Sequence, residues 1–341
     1  MKEKILPKEH LPQILKTLLE SYKVFAPIKK NGFYVFGEIE TPDEIALNYL
    51  NSKIPPKEIF YPRTEVLFTF TKSPQGIDIQ EAINPSESRV IFGIRPCDAK
   101  SFTLLDKFFS YGKFKDPYYQ TRRENTLLIG LACVNPRSTC FCTSINGSPF
   151  GEEGLDILFV DLGDKYFVKS LNLKGDELLD QLPGLTPASE KDRFNMTELL
   201  KKVLASMTPE IPIENINTKL EQLFDEEVFW DQFSQKCIGC ASCTFLCPTC
   251  TCFDVVDEET SSSGKRIRLW DTCQFPLFTL HGSGHNPRPT KRQRLRQRVM
   301  HKFSYYPKTL DEIGCVGCGR CIIVCPVNQD IREVFKALQE T

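Results

Sequence analysis

The sequence predicts an α/β N-terminal domain followed by a smaller α-helical domain organised by cysteine, and three observations lead there. Short apolar runs alternate with amphipathic stretches to about residue 173, the order of a mostly parallel sheet covered by helices. A run of helical patterning follows. Then the composition changes, and eleven of the fifteen cysteines crowd between Cys237 and Cys325. A chain of 341 residues suits two domains. The expected division is 1–225 for the α/β domain with its closing helices and 226–341 for the cysteine domain.

Taken in order, the first residues, MKEKILPKEHLPQILKTLLESYK, read as a charged amphipathic helix rather than a secretory signal. The runs YVFGEI, EVLFTF, RVIFGI, NTLLIGLACV and LDILFV read as strands, and AKSFTLLDKFFS as a helix between two of them. RVIFGI and NTLLIGLA are continuously apolar, as central strands buried on both faces should be. DELLDQL, DRFNMTELLKKVLASM and ENINTKLEQLFDEEVFWDQF supply the closing helices. Beyond Lys236, thiolate–metal bonds are expected to replace part of a core that the segment lacks. There CFDVV and RIRLW flank the turn-like EETSSSG and predict a hairpin.

Composition excludes little: 41% of residues are hydrophobic, 26% are charged, and the formal net charge is −1. No apolar run has the roughly 20 residues of a membrane span. The expected location is the cytoplasm, where thiols stay reduced and dense cysteines read as metal ligands rather than disulfides.

The chemistry lies in a motif that occurs twice. CIGCASCTFLCP starts at Cys237 and CVGCGRCIIVCP at Cys315. Each is C-x2-C-x2-C-x3-C-P, the spacing with which three thiolates hold three corners of a [4Fe-4S] cube while the fourth cysteine serves the other cluster. By that rule Cys237, Cys240, Cys243 and Cys325 hold one cluster, and Cys315, Cys318, Cys321 and Cys247 hold the other. Structural zinc prefers two separated cysteine pairs, so four thiols within eleven positions, repeated, favour iron. Gly239, Gly317 and Gly319 suit backbone close to sulfide, and equally suit plain turns.

These two runs, together with RPCDAKSF, RRENTLLIGLACVNPRSTCFCTS and FPLFTLHGSGHNPRPTKRQRLRQRVMHKFSYYP, resemble the iron–sulfur subunit that sulfhydrogenases, as their beta chain, share with anaerobic sulfite reductases. The resemblance covers most of the chain, apart from the first sixty residues or so. It implies a helical, ferredoxin-like two-cluster domain that passes electrons between a flavin and NAD(P)-binding subunit and a catalytic hydrogenase or sulfite reductase subunit, within a hetero-oligomer. No dinucleotide fingerprint, phosphate loop or H-E-x-x-H is present, and no general acid or base stands out.

Four cysteines remain in the first domain. Cys97 follows RVIFGIRP and precedes Asp98, a candidate N-cap that would put the thiolate at a positive helix end. Cys133 closes NTLLIGLAC, and the loop VNPRSTCFC carries Cys140 and Cys142. If the two strands are neighbours, all four thiols meet outside their carboxyl ends as a candidate third [4Fe-4S] site. The alternative is two ordinary buried thiols and a loop accident.

Two further features admit other functions. Between Asp271 and Asp311 there is no acid, while Arg288, Lys291, Arg292, Arg294, Arg296, Arg298, Lys302 and Lys308 give eight positive charges. That run reads as a solvated helix face, as a nucleic-acid patch, or as cations beside the anionic clusters. Cys250, Cys252 and Cys273 are surplus to the ferredoxin pattern, and would serve a self-contained thiol, disulfide or sulfur reductase as an active dithiol or as extra ligands. His281 and His285 flank a loop GSG and are assigned no role.

Overall fold

The computed structural model describes residues 1–83 and 87–340. Its strands in chain order are β1 (Glu3–Pro7), β2 (Lys23–Lys30), β3 (Phe33–Ile39), β4 (Thr64–Ser73), β5 (Gly76–Glu81) and β6 (Arg89–Ile94). They continue as β7 (Thr126–Leu131), β8 (Ile157–Asp161), β9 (Lys165–Ser170), β10 (Thr186–Pro187), β11 (Phe253–Glu259) and β12 (Ser263–Trp270). One sheet has the order β10-β1-β9-β8-β7-β6-β2-β3 and a second has β11-β12-β4-β5.

In the larger sheet β2, β6, β7 and β8 run parallel at the centre, and antiparallel strands extend both sides. The central strands are apolar because helices cover both faces. Val90, Ile91, Phe92 and Ile94 of β6 are all buried. On one face the helix Leu11–Ser21 inserts Ile14, Leu15 and Leu18. On the other, the helix Pro96–Phe109 inserts Phe102 and Leu105 beside Phe60 and Tyr119. Each such side chain contributes about 1.5–3 kcal/mol by leaving water.

The opening residues differ from their expectation. Glu3–Pro7 is a strand, β1, antiparallel to β9, and the helix starts only at Leu11 with Pro12 in its first turn. Alternation in KEKIL is too short to distinguish from a helix edge, and the partner strand lies far along the chain.

The hairpin β11–β12 forms as the sequence predicts, but β12 also pairs with β4 of the N-terminal half. The strand ladder thus crosses the compositional boundary near 225. Trp270 stacks on Tyr61 with ring centroids 5.7 Å apart, and the buried Arg268 donates through Nε to Glu65 at 3.0 Å.

The C-terminal half also has an apolar core, which its composition did not suggest. Leu220, Trp230, Val299, Phe303, Phe335 and Leu338 pack together, and Phe141 and Ile145 join them from the N-terminal half. These come from the helices Ile216–Gln222, Glu227–Ser234, Lys291–Met300 and Ile331–Glu340 and the turn following Met300. Short helices spaced along the sequence hide a core that exists only once they are packed.

Candidate iron–sulfur centres

Both cysteine runs are wound by the same local geometry. In the first, Gly239 (φ 70°) and Ala241 (φ 62°) are left-handed, and a one-turn helix, Ser242–Phe245, follows. In the second, Gly317 (φ 62°) and Gly319 (φ 72°) precede the one-turn helix Arg320–Ile323. Left-handed residues fold the chain back so that successive thiols face one volume. The second pair of glycines has a further cause: a Cβ on Gly317 would lie 2.5 Å from the Cys142 nitrogen, and one on Gly319 would lie 2.6 Å from the Thr139 oxygen. The Phe141 amide donates to the Gly317 carbonyl at 2.9 Å, joining the second run to the loop of Cys140 and Cys142.

Three cavities are lined with thiols. Cys237, Cys240, Cys243 and Cys325 share the first, with Gln274, Arg298 and Gln329 in its wall. Cys247, Cys315, Cys318 and Cys321 share the second, with Arg298 and Lys302. Cys97, Cys133, Cys140 and Cys142 share the third, with Asn51 and Arg95. Each run sends its last cysteine, Cys247 or Cys325, to the cavity of the other. Cys321 also borders the first cavity and Cys318 the third, so the three lie in a row. Among the described residues no three His, Cys, Asp or Glu side chains gather tightly enough to hold a single metal ion.

The third set forms where the parallel strands end. β6 and β7 are neighbours, so Cys97 and Cys133 emerge at one edge, and the Cys133 amide is fixed by the Pro149 carbonyl at 2.8 Å. Asp98 is not the N-cap of its helix. Arg95 occupies that position because Pro96 suits the first helical turn. Asp98 lies inside the helix, fully buried, and accepts both arms of Arg320 at 2.6 and 2.7 Å. Arg320 also donates to the Ser52 carbonyl at 2.8 Å. This clamp, with no signal in local sequence, fixes the second run against the sheet. Nor is the Cys97 thiol favoured as an anion: burial dominates and pushes it well up.

The walls of all three cavities contain no carboxylate, yet each has a buried cation, Arg95 in the third and two more beside the first two. The helix Lys291–Met300 continues through a π-helical turn, His301–Tyr305, and directs Arg294, Arg298 and Lys302 inward at four-residue spacing. Arg298 reaches the Cys243 carbonyl at 3.1 Å, while its Nε has no partner. Lys302 donates to Thr249 Oγ1 and to the Gly314 carbonyl, both at 2.8 Å. Burial opposes both charges, but negative charge on the facing cysteine sulfurs, Cys243 and Cys321 for Arg298 and Cys247 and Cys250 for Lys302, raises both pKa values above their ordinary range. Three more cations of the run are engaged on the surface of this fold. Arg292 pairs with Asp231 at 3.1 Å, Arg296 caps the Phe224 carbonyl at 2.6 Å, and Lys308 pairs with Glu221 at 2.8 Å. Arg298 and Lys302 thus fit the reading of cations beside the thiols, and the outward members of the run fit that of a solvated helix face.

Such surroundings fit iron–sulfur clusters. Four sulfur donors per cavity is the cluster ligand set, and a four-thiolate cluster is net negative, so buried cations without carboxylate partners have a counter-charge. Burial holds Cys243 and Cys315 up at about 11 and Cys142 at about 12, so iron must displace their protons on binding. In the first cavity both amide atoms of Gln329 are buried without partners, and the backbone amide of Gln329 donates to Cys325 Sγ at 3.2 Å. The Gly317 amide donates likewise to Cys315 Sγ at 3.5 Å.

The surplus cysteines lie beside this array. Cys250 neighbours Cys247, and Cys252 neighbours Cys273, each pair linked in its ionisation. His281 and His285 pack ring against ring, 5.3 Å apart, on an exposed loop. No helix among the described residues is long and apolar enough to cross a membrane.

Residues 236–329 match the 4Fe-4S dicluster domain family. Over 337 residues, 98% of each chain, the sequence is 32% identical to the sulfhydrogenase 2 subunit beta of Pyrococcus furiosus. No solved structure matches. With likeness over nearly the full length and the cysteines of the first two cavities inside the matched domain, the chain belongs to the iron–sulfur beta-subunit family of the sulfhydrogenases and is an iron–sulfur electron-transfer subunit.

Proposed function

We propose that the chain is the electron relay of a hetero-oligomeric oxidoreductase, taking electrons from a flavin and NAD(P)-binding subunit and delivering them to a catalytic hydrogenase or sulfite reductase subunit, or the reverse. The observation that carries this reading is the row of three four-thiol cavities with shared walls. Cys237, Cys240, Cys243 and Cys325 would hold one [4Fe-4S] cluster, Cys247, Cys315, Cys318 and Cys321 a second, and Cys97, Cys133, Cys140 and Cys142 a third. The clusters supply one-electron, outer-sphere transfer. The protein's part is to hold the thiols, exclude water and set the local charge. Cys240 is exposed, which gives the first site a face toward a partner. The relative's name makes that protein one subunit of a sulfhydrogenase, and a multi-subunit cytoplasmic assembly is proposed here by analogy. The division 1–225 and 226–341 is kept as a proposal for two halves joined by strand pairing.

The test is the crossed ligation. Cys247→Ala should remove about four irons and the signals of the site formed by Cys315, Cys318 and Cys321, leaving the first site reducible by dye. Iron analysis with low-temperature magnetic resonance reads both. Loss confined to the site of Cys237, Cys240 and Cys243 would refute the arrangement.

A further inference from the structure

Outside the three cavities, two thiols are held together at the base of the hairpin. Cys252 directly precedes β11, and Cys273 lies three residues beyond the end of β12. The Asp271 amide donates to the Cys252 carbonyl at 3.0 Å, continuing the ladder to that point. Past it the two side chains approach, and each is the strongest influence on the other's ionisation. Gln274 Nε2 donates to Cys273 Sγ at 3.5 Å, with its other donor contact to the Arg294 carbonyl at 2.8 Å. Cys273 is nearly buried, whereas Cys252 keeps partial exposure. Cys250 differs, because its contact is with Cys247, which lines the second cavity.

We propose that Cys252 and Cys273 form a reversible dithiol–disulfide site that exchanges with low-molecular-weight disulfides. In the forward direction one sulfur of the pair, as thiolate, attacks a disulfide RS–SR. An S–S bond forms to the protein and RS⁻ leaves. The second sulfur gives its proton to that RS⁻ and attacks the first, closing the Cys252–Cys273 bond and expelling the other RS⁻, which takes up the proton the first sulfur released. Two thiols of the protein are oxidised and one RS–SR is reduced to two RSH.

The surroundings favour this exchange. The Cys252 neighbour, aided by Gln274 and the Arg298 and Lys302 charges, outweighs burial and lowers Cys273, while Cys252 is pushed up. One thiolate beside one thiol is the arrangement of an exchanging pair. The bond would close the base of β11–β12 and tie the second sheet to Gln274, a wall residue of the first cavity.

The experiment uses the full-length, cluster-loaded protein under anaerobic conditions, incubated with glutathione disulfide. Free thiols are then blocked with N-ethylmaleimide and the peptides mapped by mass. The expected result is a linked Cys252–Cys273 peptide and two fewer alkylated cysteines, with iron content and visible absorbance unchanged. Dithiothreitol should restore both thiols. In Cys273→Ser the linked peptide cannot form, and Cys252 should be recovered alkylated or as a mixed disulfide with glutathione while iron stays constant. The proposal fails if both cysteines stay separately alkylated. It also fails if the link appears only as iron is lost, if Cys252 pairs with Cys250 instead, or if Cys273→Ser removes iron, which would make Cys273 a ligand.

Discussion

Arg298 shows what single residues add to a ligand set. Its charge is buried with backbone carbonyl and thiol neighbours and no carboxylate partner, so removing it removes a cation that favours the more negative, reduced cluster. Arg298→Met keeps much of the volume and should lower the potential of the nearest cluster by roughly 50–100 mV, where 59 mV is a tenfold change for one electron. A redox titration followed by visible absorbance measures it, and an unchanged potential would show that solvent screens the guanidinium. At this scale the grouping of the eight cysteines of the two runs into two cavities was legible, because their spacing is local. Arg298 and Lys302 were legible only as a basic run. Their inward direction depends on the helix phase, and on the Thr249 and Gly314 contacts that sequence cannot place. The Asp98–Arg320 clamp, between residues 222 positions apart, had no local signal, and a local one, the N-cap, competed with it.

Among the elements, strands buried on both faces were the readable ones. RVIFGI and NTLLIGLA carry their environment in their composition and occur as β6 and β7. β1 and β9 were not readable, since a short strand of mixed polarity is defined by its neighbours rather than by itself. The hairpin was legible from its turn, but its pairing with β4 was not. That pairing rests partly on Glu65, buried between Arg268 and Arg122. Glu65→Ala would leave two guanidinium groups short of a partner, with Asp116 still bound to Arg268, and should destabilise the protein by about 3 kcal/mol. Because β12 belongs to the cysteine half and β4 to the sheet half, cluster absorbance and far-ultraviolet dichroism should shift together along a guanidinium titration. If only one probe shifted, the two halves would unfold independently.

Across the whole molecule, the three thiol sets connect the carboxyl edge of the parallel sheet to the exposed Cys240, and the contact that makes this continuous is the approach of the Thr139–Cys142 loop to Gly317 and Gly319. Iron content tests whether the third set is a metal centre or merely four buried thiols. Anaerobic full-length protein should carry about twelve irons, and Cys133→Ala about eight with the other two sites intact. A thiol deletion alone leaves open a loss through misfolding, so the sharper variant removes no sulfur. Gly317→Ala puts a methyl group 2.5 Å from the Cys142 nitrogen and adds strain at a positive φ. It must push the loop of Cys140 and Cys142 away while Cys315 and Cys318 stay in sequence register. It should therefore lose the third set of irons preferentially, falling toward about eight, with dichroism unchanged and the Cys140 and Cys142 thiols newly open to alkylation. Twelve irons retained in both variants would show that these four thiols do not hold the third cluster, whereas eight in the unaltered protein would make the four thiols a buried group without metal.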